Sequence, residues 1–258
     1  MSSYYKYCPV YSHEKLQQEY SLINLFSNQV SFSRRGNFND LFDSKVDFLL
    51  PSKDKLKLTY HKLTGQSKRE FKQRFLGQDS SQNLNKLHGD LNSLLDSYLF
   101  YCLTDNATNN LMWSHYANSH NGFCIEWNGD EVKPEKVEYK KKLPTINIID
   151  LLEANLKLRS SEELEKSLWL ALKVKLDEWE YESEYRFNLS NTSKHLIVKD
   201  HGKFALVQSQ PEWIKSIIFG YRMPNTTRDY IVRNMPKNTH YKEVIIAPDN
   251  CSLRIRDV

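Results

Sequence analysis

Short apolar runs, alternating or continuous, recur along the chain, and each predicts a strand. They are YYKY (4–7), VSFS (30–33), SYLFYCLT (97–104), GFCIEW (122–127), Val137–Tyr139, HLIVKD (195–200), KFALVQ (203–208) and WIKSIIFG (213–220). KEVIIA (242–247), the turn PDN (248–250) and SLRIR (252–256) predict a terminal hairpin. Helical spacing marks other stretches. His13–Phe26 aligns Leu16, Tyr20 and Ile23 on one face, with Ser12 as a cap. NNLMWSHYANSH (109–120) places Met112 and Tyr116 four apart, and Ile148–Leu158, Glu162–Asp177 and Thr226–Met235 also read as helices. Ser160-x-x-Glu163 is a capping box at the start of one of them. NFNDLFD (37–43) reads as a turn-rich loop whose Phe and Leu residues pack down.

Clustered strands with helices between some of them predict an α+β fold and not a doubly wound parallel sheet. The expected organisation is a single domain over residues 1–258, with 51–93 as a helical insertion. That insertion is polar and basic. Pro51–Gly77 holds eight basic residues against two acidic ones, a larger surplus than the +4 of the whole chain. Lys57, Lys62, Lys68, Arg69, Lys72 and Arg74 are its candidate nucleic-acid contacts, with Tyr60, Phe71 and Phe75 interleaved as stacking surfaces. A solvated helical face accounts for the same charges equally well.

WEYESEYRFNL (179–189) carries the most pointed chemistry. On a strand it sorts into an apolar face of Trp179, Tyr181, Tyr185, Phe187 and Leu189, and a charged face of Glu180, Glu182, Glu184 and Arg186. Three carboxylates against one cation suit a functional site better than a plain wet strand. A Glu-x-Glu on a strand fits a glycosidase pair, a metal site, or cleavage of the N-glycosidic bond of NAD, where a carboxylate stabilises an oxocarbenium-like transition state.

Other classes lack their signatures. No GxGxxG or GxxxxGK[ST] loop occurs. The four cysteines, Cys8, Cys102, Cys124 and Cys251, are scattered, and His115 and His120 are five apart, so no metal is expected. No run of about 18 apolar residues is present and the N-terminus lacks a secretory pattern, which points to a cytoplasmic protein without membrane contact.

Four segments in order, YKY (5–7), FNDLFD (38–43), MWSHYANSHNGFCI (112–125) and WEYESEYR (179–186), resemble a bacterial family known as a domain of unknown function. That family looks like a distant relative of the ADP-ribosyltransferase fold, with split mixed or antiparallel sheets flanked by helices. The resemblance implies an NAD-dependent toxin or anti-phage effector. In that reading Glu184 is catalytic and Glu182 assists the acceptor. Lys6 stands where classical members offer His or Arg to NAD; Ser33, Asn39, Asp40, Trp113 and Tyr116 complete the NAD site. RNA is the preferred acceptor, and a protein antitoxin the expected partner. Bland readings stand beside several of these: Asn39 and Asp40 as a self-satisfied turn, Trp113 and Tyr116 as core. The functional alternatives are a non-catalytic sensor module and a nucleic-acid hydrolase.

Overall fold

The computed structural model describes residues 2–189, 191–248 and 251–258. The chain divides into two compact units: Met1–Asn37, Leu99–Val137 and Glu178–Val258 form the first; Phe38–Tyr98 and Glu138–Asp177 form the second. The stretch expected as an insertion thus shares its unit with residues 138–177.

The first unit is built on eleven strands: β1 Ser3–Cys8, β2 Gln29–Ser33, β3 Phe100–Thr104, β4 Phe123–Asn128, β5 Glu135–Lys136, β6 Glu184–Asn188, β7 Ile197–Asp200, β8 Phe204–Gln208, β9 Ile214–Phe219, β10 Tyr241–Ile246 and β11 Leu253–Asp257. They form one sheet in the order β7-β8-β2-β3-β1-β4-β9-β10-β11, with β6 on β3 and β5 on β6. Only the β9–β10 pairing is parallel. The fold is therefore mixed α+β with a mostly antiparallel sheet, as the clustered strands predict.

One junction in this sheet is unusual. β3 pairs along its whole length with β6, Phe100 to Thr104 against Asn188 to Glu184. On its other edge it meets β1 only at Thr104–Tyr5 and β2 only at Phe100–Ser33. Residues 100, 102 and 104 of an antiparallel strand address the same edge, so Cys102 falls where β1 and β2 fork apart. Its carbonyl is satisfied by a side chain instead of a strand: Lys6 Nζ donates to Cys102 O at 3.0 Å.

A core of Leu22, Leu25, Phe32, Tyr101, Leu103 and Ile217 fills one side of the sheet. Tyr7, Met112, Trp113, Cys124, Ile218 and Val244 pack on the other. The first helix differs from its prediction. A 3-10 turn at Leu16–Gln18 precedes the helix Tyr20–Phe26, and the buried residues are Leu16, Leu22 and Leu25. Tyr20 is 81% exposed and Ile23 39%. Glu19, at the start of the helix, accepts from the Tyr11 and Ser12 backbone N–H groups through its side chain and so ties the preceding loop to the helix. The terminal hairpin forms as expected between β10 and β11; Asp249 and Asn250 of its turn lie outside the described residues.

The second unit holds the helices Lys53–Lys62, Gly65–Phe71, Ser80–Asp96, Ile148–Asn155 and Ser161–Leu172. A π-helical turn, Lys72–Leu76, extends the second of these. Two parallel ribbons join Asp47–Leu49 to Thr145–Asn147 and Glu138–Lys140 to Val174–Leu176. Of the two predicted caps, Ser160 is in place and accepts from Glu163 N, whereas Ser12 accepts from Lys15 N ahead of a 3-10 turn and heads no α-helix. Ser52, which the sequence reading did not single out, caps its helix by accepting from Lys55 N. The loop at 37–43 inverts its expected packing. Leu41 and Phe42 are exposed, whereas Asp40, Asp43 and Ser44 are buried. Ser44 donates to Asp43 and to the Leu172 carbonyl, and Lys175 lies 3.4 Å from Asp43. Polar partners, not apolar contact, anchor this loop. Among the described residues no helix is long and apolar enough to cross a membrane.

Candidate functional site: a carboxylate pair and a forked sheet

WEYESEYRFNL is not one strand. Asp177–Glu182 is a 3-10 helix, and β6 begins at Glu184. Between them Ser183 has φ of +44°, a left-handed conformation that costs a non-glycine residue about 1–2 kcal/mol. The expected row of three glutamates is therefore broken. Glu180 is exposed, and only Glu182 and Glu184 turn inward, each 4% exposed.

Each buried carboxylate has a definite partner. Arg186 is two residues from Glu184 on the same face of β6; its Nε donates to Oε1 at 2.6 Å and Nη2 to Oε2 at 3.2 Å. The guanidinium also lies over the Phe100 ring, 5.7 Å from its centroid. Glu182 accepts a hydrogen bond from the Tyr116 hydroxyl. Tyr116 ends the helix Asn110–Tyr116, whose start is fixed by Asn109: its Oδ1 accepts from Leu111 N and Met112 N, and its Nδ2 donates to Tyr181 O at 2.5 Å. One asparagine thereby ties the helix to the segment that carries Glu182.

Trp113 corrects an expectation. It is fully buried, its Nε1 donates to Ala107 O, and its ring packs edge-on against Tyr7. It has no surface to offer a nicotinamide or adenine ring. The partly buried Tyr116 keeps that possibility.

Registers decide which residues share a face. Tyr5, Thr104 and Glu184 are successive cross-strand partners, as are Ser33, Phe100 and Asn188. Ser33 thus belongs to the Glu184 face, at the far end of β3. Lys6, one residue along from Tyr5, leaves β1 on the opposite face. The structure does not bring Lys6 together with Glu184. Instead Lys6 lines a cleft of about 730 Å³ in the fork, bounded by β1, β2, the helix Tyr20–Phe26 and the rim residues Lys199 and His201. Neither Glu182 nor Glu184 lines it.

Asn39 and Asp40 belong to the second unit. Asp40 Oδ1 accepts from Phe42 N at 2.8 Å, the self-satisfied turn foreseen as one reading. Its Oδ2 is buried with no protein partner among the described residues. Asn39 is exposed. The six basic residues singled out in this unit, Lys57, Lys62, Lys68, Arg69, Lys72 and Arg74, are all at least partly accessible, but not equivalent. Lys62 is held by Glu153 at 2.8 Å, Lys57 lies 3.7 Å from Asp54, Lys68 covers the Tyr60 ring, and Arg74 covers Phe75. Arg69 and Lys72 are exposed. Phe71 and Phe75 are 2% and 5% exposed and pack on each other with centroids 5.1 Å apart. They are core residues and cannot stack on bases; Tyr60, half-buried, is the ring left to do so.

The sequence reading missed another buried carboxylate, Glu126. Glu126 on β4 accepts from Ser3 at 2.8 Å, Ser216 at 2.5 Å and Lys242 at 2.7 Å, with Lys215 at 3.6 Å. Burial pushes its pKa up, but Lys242, Ser216 and Ser3 together hold it down to about 2. A polar residue inside GFCIEW was the available signal, since a continuous apolar run interrupted by one Glu implies a paired charge.

A family model described as "Protein of unknown function (DUF2971)" matches residues 112–187. The match contains two of the four segments singled out in the sequence, MWSHYANSHNGFCI and WEYESEYR. It takes in Trp113, Tyr116, Glu182, Glu184 and Arg186, and stops short of Lys6, Ser33, Asn39, Asp40 and the basic helices. No curated protein and no solved structure matches the chain. Over residues 112–187, which hold both buried glutamates of the candidate site, the chain carries a domain similar to this family of unknown function.

Proposed function

We propose that this chain is an NAD-dependent ADP-ribosyltransferase in which Glu184 stabilises the ribosyl cation and Glu182 orients the acceptor. One observation carries the reading: two buried carboxylates flank a left-handed Ser183, each fixed by its own partner. Strained backbone between charged groups is characteristic of functional sites. Fixed dipoles and charges stabilise a developing cation without reorganisation.

In this reaction the C1′–nitrogen bond breaks and nicotinamide leaves with the electron pair. Glu184, braced by Arg186, faces the positive charge that develops on the ribose. The acceptor oxygen or nitrogen then bonds to C1′ and gives its proton to Glu182, with Tyr116 steadying that carboxylate. Trp113 and Lys6 have no role in this scheme. The acceptor is taken to be RNA, attracted by Arg69 and Lys72, and a toxin or anti-phage role with a protein antitoxin follows as the biological setting.

The wholly buried Arg186 favours a second reading. Here the Glu184–Arg186 pair is a strut in a non-catalytic binding module. Labelled NAD incubated with RNA, DNA and cell lysate separates the two. Transfer by the wild type, lost in Glu184→Gln with the fold retained, supports the transferase. Neither transfer nor nicotinamide release by a folded wild type sinks it and leaves the strut.

A further inference from the structure

The fork between β1 and β2 has features that neither the carboxylate pair nor the basic helices explain. Its cleft of about 730 Å³ lies within the range of small-molecule sites. Most of its wall is apolar, from Ile23, Leu25, Val30, Ile125 and Leu206. At its floor lies one cation. The Lys6 ammonium carries three donors; one goes to Cys102 O, and the group sits 5.1 Å above the Tyr101 ring. Lys199 and His201 stand at the rim, both exposed.

The charge is one-sided. Among the described residues no carboxylate lines the cleft. The acidic residue between Lys199 and His201, Asp200, is locked by Arg34 through two hydrogen bonds of 2.8 and 2.7 Å. That pairing, aided by Gly202 N, holds its carboxyl down to about 2, so its charge is already engaged. Flat surfaces are present as well. His201 stacks on Phe204 at 4.6 Å with 19° between the planes, and Tyr20 stands 81% exposed beside the mouth. An apolar body would be buried by the walls, and an anionic group would be met by ammonium at floor and rim.

We propose that the fork cleft is a binding site for a small aromatic anion, its charged group on Lys6 and Lys199 and its ring against Phe204 and Tyr20. The site does not depend on the transferase reading, because Glu182 and Glu184 take no part in it. It gives a reason for Lys6 beyond plugging the fork: the same ammonium completes the β3 edge and supplies the only floor charge among the described lining residues.

The test uses the full-length chain and the aromatic anion 1-anilinonaphthalene-8-sulfonate as the probe, followed by fluorescence. ADP and benzoate serve as competitors. Lys6 itself is a poor target, because its loss exposes Cys102 O and can unfold the strand. Lys199→Glu and Ile23→Trp are on accessible positions and leave the ladder intact; circular dichroism checks the fold. The expected result is saturable one-to-one binding, weakened about tenfold by Lys199→Glu and abolished when Ile23→Trp fills the cleft. Displacement by ADP assigns the charged group as phosphate, and displacement by benzoate alone assigns it as carboxylate. Absence of saturable binding to the wild type, or equal binding by both variants, overturns the proposal. Neither result bears on NAD turnover by Glu184.

Discussion

Arg186 Nε lies 2.6 Å from Glu184 Oε1 across a single intervening residue, and the two side chains are 0% and 5% exposed. Removing one partner leaves a buried charge uncompensated, which costs about 3–5 kcal/mol. Arg186→Met is therefore expected to lower the urea unfolding free energy by about that amount. Arg186→Met combined with Glu184→Leu is expected to recover most of it, since an apolar pair of similar volume replaces the ions. A double variant no more stable than the single one would show that further partners, not this pair, set the energy.

Ser183 supports a distinct prediction. Its φ of +44° separates Glu182 from Glu184. Ser183→Gly removes the steric penalty but adds backbone freedom to the unfolded chain. The net gain is expected to be small, about 0.5–1 kcal/mol, seen as a higher melting temperature. If the carboxylate pair is catalytic, the same change lowers NAD turnover, because the two carboxylates lose their fixed directions. Higher stability with unchanged turnover would assign the strain a purely structural origin.

The pKa of Glu126 determines an acid limb of stability. It is depressed in the folded protein, from 4.5 to about 2. The unfolded chain then takes up the proton first as pH falls. The contribution is fully present above about pH 5 and is lost progressively as pH drops through 4.5 toward 2. Denaturant midpoints measured from pH 6 to pH 2 should fall along this limb. Glu126→Gln should flatten it and lower stability at neutral pH, as Lys242 and Lys215 lose their partner.

The basic helices predict unequal lysines. If the basic helices hold the proposed RNA acceptor, Lys62→Ala changes its affinity little, because Lys62 is already engaged by Glu153. Arg69→Ala with Lys72→Ala should weaken single-stranded RNA binding and reduce the slope of log affinity against log salt by about 1.4. Phe75→Ala, by contrast, should cost about 3–5 kcal/mol of stability, since the ring is core. Filter binding at several salt concentrations checks the first two, and thermal melting the third.

Much of the fold was legible from local pattern. The apolar runs YYKY, VSFS and KFALVQ placed β1, β2 and β8, and Ser160 caps its helix as short-range spacing requires. That Glu182, Glu184 and Arg186 would be paired was also legible, because charges set among aromatics in a β-rich region call for partners. Local pattern did not reveal how WEYESEYR bends. A period-two reading assumes extended backbone throughout, and one left-handed residue at Ser183 replaces half of that strand with a 3-10 helix.

Composition and spacing determined where most strands and helices form and where positive charge accumulates. Tertiary structure alone decided which face each residue takes. The helix Tyr20–Phe26 turned Tyr20 and Ile23 outward because Leu22 and Leu25 are the side chains that meet the core of the sheet. Trp113 became core because Tyr7 meets it from a distant strand. Lys6 became the floor of a cleft because Cys102, 96 residues away, offers a carbonyl at the fork. Glu126 is satisfied by Ser3, Ser216 and Lys242, none of them near in sequence. These are long-range pairings, fixed only when the sheet closes and each buried polar group must find a partner.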